Sequence, residues 1–143
     1  MSRNSLHRAF MASLAIGFGS LSLSCQSVAK HAGDPEYGDP IALEKGTASF
    51  YSVRTNRGAR TASGKPLCDR TLTAAHRKLP FGTPVRVTNV KNGKSVVVTI
   101  TDRGPFIRGR IIDVSVAAAR ELDFVSRGLV PVKVEVLPKP KKA

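Results

Sequence analysis

The chain has 143 residues, which is enough for one compact domain and too few for two ordinary ones. Lys and Arg number 23 against 10 Asp and Glu, so the formal net charge is +13, while 41% of the residues are hydrophobic. This composition is globular and excludes an intrinsically disordered chain. Two cysteines are too few for a disulfide scaffold, and three histidines are too few for the usual multi-histidine metal centre. We therefore expect no metal and no cofactor.

The N-terminal residues 1–29 have the pattern of a secretory signal peptide. A basic start is followed by residues 9–29, which carry no charge and include a short apolar run. Residues 27–29 suit an ordinary signal peptidase, whereas residues 22–25 resemble a lipobox in which Cys25 would be lipidated and anchor the protein to a membrane. We expect export to the periplasm or cell envelope and leave both cleavage sites open.

Export and net charge together indicate what kind of partner the protein binds. Removing residues 1–29 takes away two basic residues and no acidic one, so the remainder keeps a net charge of +11. Such a charge favours an anionic partner, either a cell-wall polymer or a membrane surface. Nucleic acid is not expected, because the protein leaves the cytoplasm.

The remainder of the chain predicts a linker, a mostly-β domain and a basic tail. Residues 30–45 are rich in Gly, Pro and acidic residues, which is typical of a linker. The domain covers residues 46–137, and residues 138–143 form the tail. Alternating apolar and polar residues predict its strands at 47–53, 85–90, 95–100, 106–112 and 132–136.

Turn and capping signals connect these strands. Asn92-Gly93 between two strand patterns predicts a hairpin, because its turn residues must tolerate positive φ. Ser115 is a suitable N-cap for one short helix over residues 116–122. Short strands, many turns and no long amphipathic helix favour a closed barrel over a layered α/β fold. A barrel has no exposed edge strand, so we also expect a monomer.

Three polar turns, at residues 54–64, 72–82 and 101–105, hold the candidate site residues. His76 is the sole histidine of the domain, and because histidine in general can exchange a proton close to neutral pH, it is either an acid–base group or a histidine packed on the barrel wall. Asp102 ends an apolar strand at a Gly-Pro turn, where it is either a proton donor or a turn-forming residue. Asp113 is expected to organise the helix start or to pair with Arg110.

Two further groups have ambiguous sequence signals. Arg54, Arg57 and Arg60 share one loop and form either an anion-binding rim or a solvated turn. Cys68 is expected to be a buried small hydrophobe without a disulfide partner unless Cys25 is retained. On residue types alone, the function stays open between a small hydrolytic site and a binding surface.

Several sequence blocks closely resemble the rare lipoprotein A (RlpA) family, in order and over most of residues 46–137. The blocks are GTASFY at 46–51, TASG at 61–64, LTAAHRKLPFG at 72–82, VRVTN at 85–89, TDRGPF at 101–106 and GRIIDVS at 109–115. The resemblance implies a six-stranded double-psi β-barrel, shared with expansins. It also implies a lytic transglycosylase that cleaves the MurNAc–GlcNAc β-1,4 bond of peptidoglycan glycan strands without water, leaving 1,6-anhydro ends.

The family's catalytic acid and its histidine match Asp102 and His76. We expect substrate contacts from a set of side chains around them, with Asp113 and Ser115 as structural neighbours of the site. The expected contact residues are Tyr51, Arg60, Thr61, Ser63, Lys65 and Arg103.

This chain departs from the family pattern at four positions. The family's usual Glu is Lys65 here, the aromatic and the acid that normally follow are Leu67 and Cys68, and the first-strand Trp is Phe50. A positive charge near the proposed acid is unfavourable to a proton donor. The alternative function is therefore a non-catalytic, expansin-like module that binds the cell wall.

Overall fold

The computed structural model describes residues 37–55 and 60–140. Residues 1–36, which include the expected signal peptide, Cys25 and part of the expected linker, lie outside the described residues, as do Arg57 and the last three residues of the tail. The elements are β1 (Ala42–Tyr51), β2 (Thr73–His76), β3 (Pro84–Asn89), β4 (Ser95–Asp102), β5 (Arg110–Ser115), α1 (Val116–Glu121) and β6 (Val130–Val136).

The six strands form a closed barrel in the order β1-β5-β2-β4-β3-β6. Strands β1 and β5 are parallel, as are β2 and β4, whereas every other neighbouring pair is antiparallel. The connection from β1 to β2 therefore passes over β5, and the connection from β4 to β5 passes over β2. These two crossing connections carry the residues expected at the functional site.

The barrel interior is filled by the side chains that point inward from each strand. Val85 and Val87 of β3 are fully buried, and so are Ile100 of β4 and Val134 of β6. Each buried valine or isoleucine contributes roughly 1.5–3 kcal/mol to folding through the hydrophobic effect. The expected closed barrel, and the inward orientation of the valines in the last strand, are confirmed.

The short helix begins where the sequence predicts. The Ser115 hydroxyl accepts a hydrogen bond from the backbone N–H of Ala118, which satisfies one of the unpaired N–H groups of the first turn. Behind the helix, Phe124 is fully buried and meets Phe50 edge to face at 5.9 Å between ring centroids. The helix thus closes one side of the core.

Several strand boundaries differ from the sequence predictions, and the largest differences are at three places. Residues 42–45, which were assigned to the linker, are the first residues of β1, because their backbone pairs with β6. Residues 73–76, assigned to a turn, form β2 between β4 and β5. Strand β5 begins at Arg110 rather than at Phe106.

The hairpin between β3 and β4 turns at the expected Asn92-Gly93 pair. Gly93 has a φ of +74°, whereas Asn92 keeps an ordinary negative φ. The loop is therefore longer than a two-residue turn and needs only one residue of positive φ. Over residues 37–55 and 60–140, no helix has both the length and the apolar character needed to span a bilayer.

Candidate active site

The carboxyl group of Asp102 links the two crossing connections. Its Oδ1 atom accepts hydrogen bonds of 2.8 Å from the backbone N–H of Ala62 and of 2.8 Å from that of Arg103. The N–H of Ser63 donates to the carbonyl of Thr101 at 3.1 Å, which fixes the same loop a second time. Among the described residues, no donor bonds to the second oxygen, Oδ2. One carboxyl oxygen is thus held in place while the other remains available.

A β-bulge determines which side of the barrel wall Asp102 faces. Ala74 pairs with Ile100, but the next residue, Ala75, pairs with Asp102, so Thr101 is an extra residue in β4. Ile100 points into the core, and strict alternation would turn Asp102 inward as well. The extra residue reverses this phase and places Asp102 on the outer face beside Ala75.

The loop of residues 60–66 is held mainly by its own hydrogen bonds. The Arg60 guanidinium donates to the carbonyl of Gly64 at 2.9 Å, and the N–H of Thr61 donates to the carbonyl of Lys65 at 2.9 Å. The hydroxyls of Thr61 and Ser63 lie 2.9 Å apart and bond to each other. Arg60, Thr61 and Ser63 were all expected to contact substrate. Their guanidinium and hydroxyl groups instead form hydrogen bonds within the loop that contacts Asp102.

A cleft of about 780 Å³ opens beside the outer face of β2 and β4. We call it the threonine cleft, and its lining residues are Val53, Lys65, Pro66, Leu67, Cys68, Asp69, Arg70, Thr71, Thr73, Thr99 and Thr101. Lys65 and Arg70 bring positive charge to it, whereas the Asp69 carboxylate accepts a 2.7 Å hydrogen bond from the N–H of Val53. Such a cleft suits a polar ligand with anionic groups.

Tyr51 lies near Asp102 and bonds to Thr73, a residue that lines the threonine cleft. Only 9% of Tyr51 is exposed, and it packs against Leu67 and Ala75. Its hydroxyl lies 2.8 Å from the hydroxyl of Thr73. Burial raises the pKa of Tyr51 to about 12; the Thr73 hydrogen bond opposes the shift, and the negative charge of Asp102 adds to it. Tyr51 is therefore a neutral supporting residue at physiological pH, with little surface for substrate.

A second carboxyl group lies across Ala75 from the first. Ala75 pairs with Asp102 on one side and with Asp113 on the other. The Asp113 carboxylate accepts hydrogen bonds from Ser49 at 2.7 Å and from the Arg110 guanidinium at 2.5 Å. The expected pairing of Asp113 with Arg110 is confirmed, whereas the serine was not anticipated.

The structure does not bring the His76 imidazole into the threonine cleft. Its Nδ1 accepts the backbone N–H groups of Lys78 at 3.2 Å and Leu79 at 3.1 Å. The ring proton is then on Nε2, which lies 3.2 Å from the Glu44 carboxylate. Only 4% of His76 is exposed.

Strand alternation explains the separation. Consecutive residues of a strand point to opposite faces. Ala75 pairs with Asp102 and shares its face of the sheet, so the next residue, His76, which pairs with the buried Ile112, points to the other face. The imidazole instead lines a smaller cavity of about 210 Å³ together with Glu44 and Ile111. The expectation that Asp102 and the imidazole share one groove is wrong for this structure.

Arg103, also expected to contact substrate, has internal partners. Its guanidinium donates to the carbonyls of Leu79 at 2.8 Å and of His76 at 3.2 Å. The same group lies 3.9 Å above the ring of Phe81, in a cation–π contact. Arg103 thereby ties the end of β4 to the turn after β2, and His76 reaches the Asp102 region through its backbone rather than its ring.

Cys68 is disulfide-bonded, which is the case left open on condition that Cys25 is retained, and it is half-buried rather than buried as expected. The only other cysteine of the chain, Cys25, lies outside the described residues. Within residues 37–55 and 60–140, no cluster of three or more His, Cys, Asp or Glu side chains could hold a metal ion.

Two site residues, Ala62 and Glu44, were missed by sequence reasoning. Ala62 acts through its backbone N–H, which leaves no mark in a side-chain pattern. Glu44 lies in the acidic segment that resembles a linker. The TASG block at residues 61–64 was the one sequence signal that pointed to Ala62.

Two parallel strand pairs joined by crossing connections define a double-psi β-barrel. Solved structures with the same architecture include the Streptomyces papain inhibitor, which matches with a TM-score of 0.56 and 22% identity over 69% of this chain and 97% of that chain. The apo expansin of Clavibacter michiganensis matches with a TM-score of 0.56 and 25% identity, over 71% of this chain and 53% of that one.

The protein belongs to the lytic transglycolase family of such barrels, whose model matches residues 43–134. Among curated relatives, a probable endolytic peptidoglycan transglycosylase RlpA of Nostoc sp. is 55% identical over 65% of this chain and 25% of its own length. The endolytic peptidoglycan transglycosylase RlpA of Neisseria meningitidis serogroup A is 51% identical over 64% of this chain and 38% of its own. The matched region thus spans about a quarter to two-fifths of these relatives. The resemblance to the RlpA family is confirmed.

Proposed function

We propose that this protein is a peptidoglycan lytic transglycosylase that cleaves the β-1,4 bond between MurNAc and GlcNAc and leaves a 1,6-anhydro end. The observation that carries this assignment is the Asp102 carboxyl, with Oδ1 fixed by two backbone N–H groups and Oδ2 without a donor among the described residues. The relatives that match this barrel at about half identity are named as endolytic peptidoglycan transglycosylases, one of them as a probable one, which supports the class of reaction.

Asp102 serves first as acid and then as base. Protonated Oδ2 gives its proton to the glycosidic oxygen as the C1–O4 bond breaks, and positive charge builds on the muramic ring. The C6 hydroxyl of the same ring then attacks C1, and its proton passes to the Asp102 carboxylate. The product keeps the C6–O–C1 bridge, the leaving GlcNAc keeps the transferred proton, and Asp102 is regenerated. Because the nucleophile belongs to the same sugar, no water is consumed and the attack is intramolecular.

The neighbouring residues position this carboxyl and the glycan. Lys65 and Arg70 of the threonine cleft take the lactyl carboxylate or another anionic group of the wall. Arg60, Thr61 and Ser63 hold the loop that donates to Asp102, and Tyr51 supports it from below. His76 is a positioning residue that anchors Arg103 through its carbonyl, since its ring is engaged with Glu44.

The site of action is the cell envelope, reached by export through the signal peptide of residues 1–29. Lipidation of Cys25 would convert its sulfur to a thioether, and a sulfur in a thioether cannot also form a disulfide. Intact mass measurement of the protein from the membrane fraction and from the soluble fraction distinguishes a lipidated Cys25 from an unmodified one. A diacylglycerol adduct supports a lipid anchor, whereas an unmodified mature chain in the soluble fraction contradicts it.

A second candidate function is a wall-binding module without turnover. It is favoured by two positions at which the family's usual acids are absent, Lys65 and the disulfide-bonded Cys68. Such a module keeps the cleft and its charge but lacks part of the family's acidic site.

Product analysis separates the two functions. Purified protein is incubated with intact peptidoglycan and with stem-peptide-free glycan, and 1,6-anhydro products are quantified by mass spectrometry. We expect products from the wild type and a loss of about 10²–10⁴-fold in Asp102→Asn, the range for a general acid. Asp123→Asn is the matched control, since Asp123 is exposed and its one ion pair with the residues that the structure describes is to Lys94. Glycan binding without products, equal in Asp102→Asn, would establish the binding module instead.

A further inference from the structure

The connection from β4 to β5 carries an exposed aromatic ring. Phe106 is 81% exposed and the adjacent Ile107 is 57% exposed, whereas Gly104 and Pro105 before them are buried. Both exposed side chains follow Asp102 closely in the chain. Adjacent exposed apolar side chains that lie close in the chain to a candidate catalytic residue are a sign of a binding site.

The segment that carries the ring is fixed at both ends. At its start, the N–H of Arg103 bonds to Asp102, and at its end the carbonyl of Gly109 accepts a 3.2 Å hydrogen bond from the N–H of Thr47. The ring itself lies against Gly104, where an added Cβ would be 3.6 Å from its edge. A ring held in this way loses little conformational entropy when a ligand covers its other face.

We propose that Phe106 is a stacking platform for one pyranose ring of the glycan strand, close to the bond that Asp102 cleaves. A pyranose presents an apolar C–H face, which packs against a flat aromatic ring while its hydroxyls stay in water. The four residues from Asp102 to Phe106 span at most about 14 Å, so a strand of a few sugars reaches both. The assignment of a sugar as ligand rests on the proposed function.

A lipid surface is the other ligand that an exposed Phe-Ile pair suits. The two ligands differ in what they require of the side chain at position 106. Insertion into lipid needs apolar surface of any shape, which Leu supplies as well as Phe. Stacking against a pyranose needs a flat ring, which Tyr and Trp supply and Leu does not.

Binding is measured by titration calorimetry with stem-peptide-free glycan oligosaccharides, in an Asp102→Asn background that prevents turnover. We expect Phe106→Leu and Phe106→Ala to weaken binding about tenfold, a loss of about 1.4 kcal/mol, and Phe106→Trp to preserve it. The control is Val90→Ala, which removes an apolar side chain that is 61% exposed on the β3–β4 hairpin and leaves binding unchanged.

Three results would overturn the assignment of Phe106. They are undiminished glycan binding in Phe106→Ala, affinity retained by Phe106→Leu, and no binding with Phe106 intact. In a parallel arm, vesicles of phosphatidylglycerol that bind Phe106→Leu as well as the wild type indicate a lipid ligand instead. Turnover is assayed separately in the protein that retains Asp102. Absence of anhydro products there contradicts the transglycosylase, while the calorimetric series still decides the role of Phe106.

Discussion

The backbone N–H of Ala62 donates a 2.8 Å hydrogen bond to Oδ1 of Asp102. Ala62 belongs to the connection that precedes β2, and Asp102 is the last residue of β4. The carboxyl group therefore has a structural role beside any chemical one, because it holds the loop of residues 60–66 against the barrel. Substitutions at this position must be chosen to separate the two roles.

Asp102→Asn and Asp102→Ala should differ in stability. The amide oxygen of Asn can accept both N–H bonds that Oδ1 accepts, so we expect the free energy of unfolding to change by less than about 1 kcal/mol. Ala leaves both donors without their partner, at a cost of about 2 kcal/mol. Urea denaturation of the three proteins measures the difference. Equal stability of the two variants would mean that water replaces the carboxyl at no cost.

Lys65→Glu should alter the pH dependence of turnover. Lys65 lines the threonine cleft in the same loop as Ala62, and the substitution replaces a positive by a negative charge near the proton donor. A negative neighbour favours the protonated form of a carboxyl group, so we expect the alkaline limb of the pH–rate profile to move to higher pH. The shift is less than about one pH unit, because the cleft is open to solvent and the charge is screened.

The measurement is the initial rate of anhydro-product formation across the pH range, with Lys78→Glu as the charge-matched control. Lys78 lines the smaller cavity with His76 and not the threonine cleft. An equal displacement in both variants would attribute the effect to net charge rather than to the cleft.

His76→Ala should act on stability. The substitution removes the acceptor for two backbone N–H groups and leaves a cavity at a buried position, which together cost about 2–4 kcal/mol. Glu44→Gln keeps an oxygen that can accept from Nε2, so we expect its kcat/KM to stay within about twofold of the wild type. Denaturation curves and rates per folded molecule test both statements. A stable His76→Ala protein with turnover lowered a hundredfold would show that the imidazole takes part in catalysis.

The separation of His76 from Asp102 illustrates what sequence reasoning could and could not reach. Strands β3 and β6 were predictable because their valines alternate with other residues over five or more positions, and β4 because it is a run of β-branched residues after the Asn-Gly turn. Strand β2 was not, since it has only four residues and none of them is a large aliphatic residue. Its backbone is extended because β4 and β5 pair with it on both sides.

Orientation at the site depends on one inserted residue. The bulge at Thr101 places Asp102 on the outer face, and nothing in the run of apolar residues before it marks where the register shifts. The resemblance to a family identified the residue types of the site. It could not give the face on which each lies, because that depends on hydrogen-bond pairing between segments distant in the chain.

Ser115→Ala should destabilise the barrel through the helix it caps. The Ser115 hydroxyl is fully buried and accepts from the N–H of Ala118, so its removal leaves a buried donor unsatisfied. We expect a loss of about 1 kcal/mol in the free energy of unfolding, and a smaller loss in Ser115→Thr, which keeps the hydroxyl. Ser126→Ala is the matched control at an exposed serine. A loss of the same size at Ser126 would show that the effect does not come from capping.

Tyr51 should make the barrel less stable in alkaline solution. Burial of the phenol raises the pKa of Tyr51 to about 12 in the folded protein, against 10.0 for the model phenol. Between these values the folded state keeps the proton that the unfolded state releases, so the free energy of unfolding falls as pH rises from 10 towards 12. The full loss is about 3 kcal/mol for two pKa units, and below pH 10 the contribution is fully present.

Tyr51→Phe isolates this effect from other groups that titrate in the same range. The variant lacks the Tyr51 phenol while Tyr37 is common to both proteins, and at neutral pH it loses about 1 kcal/mol with the hydrogen bond to Thr73. Urea denaturation at several pH values between 9 and 12 gives the difference in stability between wild type and variant. We expect that difference to fall continuously across the range and to change sign, so that Tyr51→Phe becomes the more stable protein near pH 12. A difference that stays constant would mean that the Tyr51 phenol ionises equally in the folded and unfolded chains, and the absorbance titration of wild type minus that of Tyr51→Phe would then place its pKa near 10.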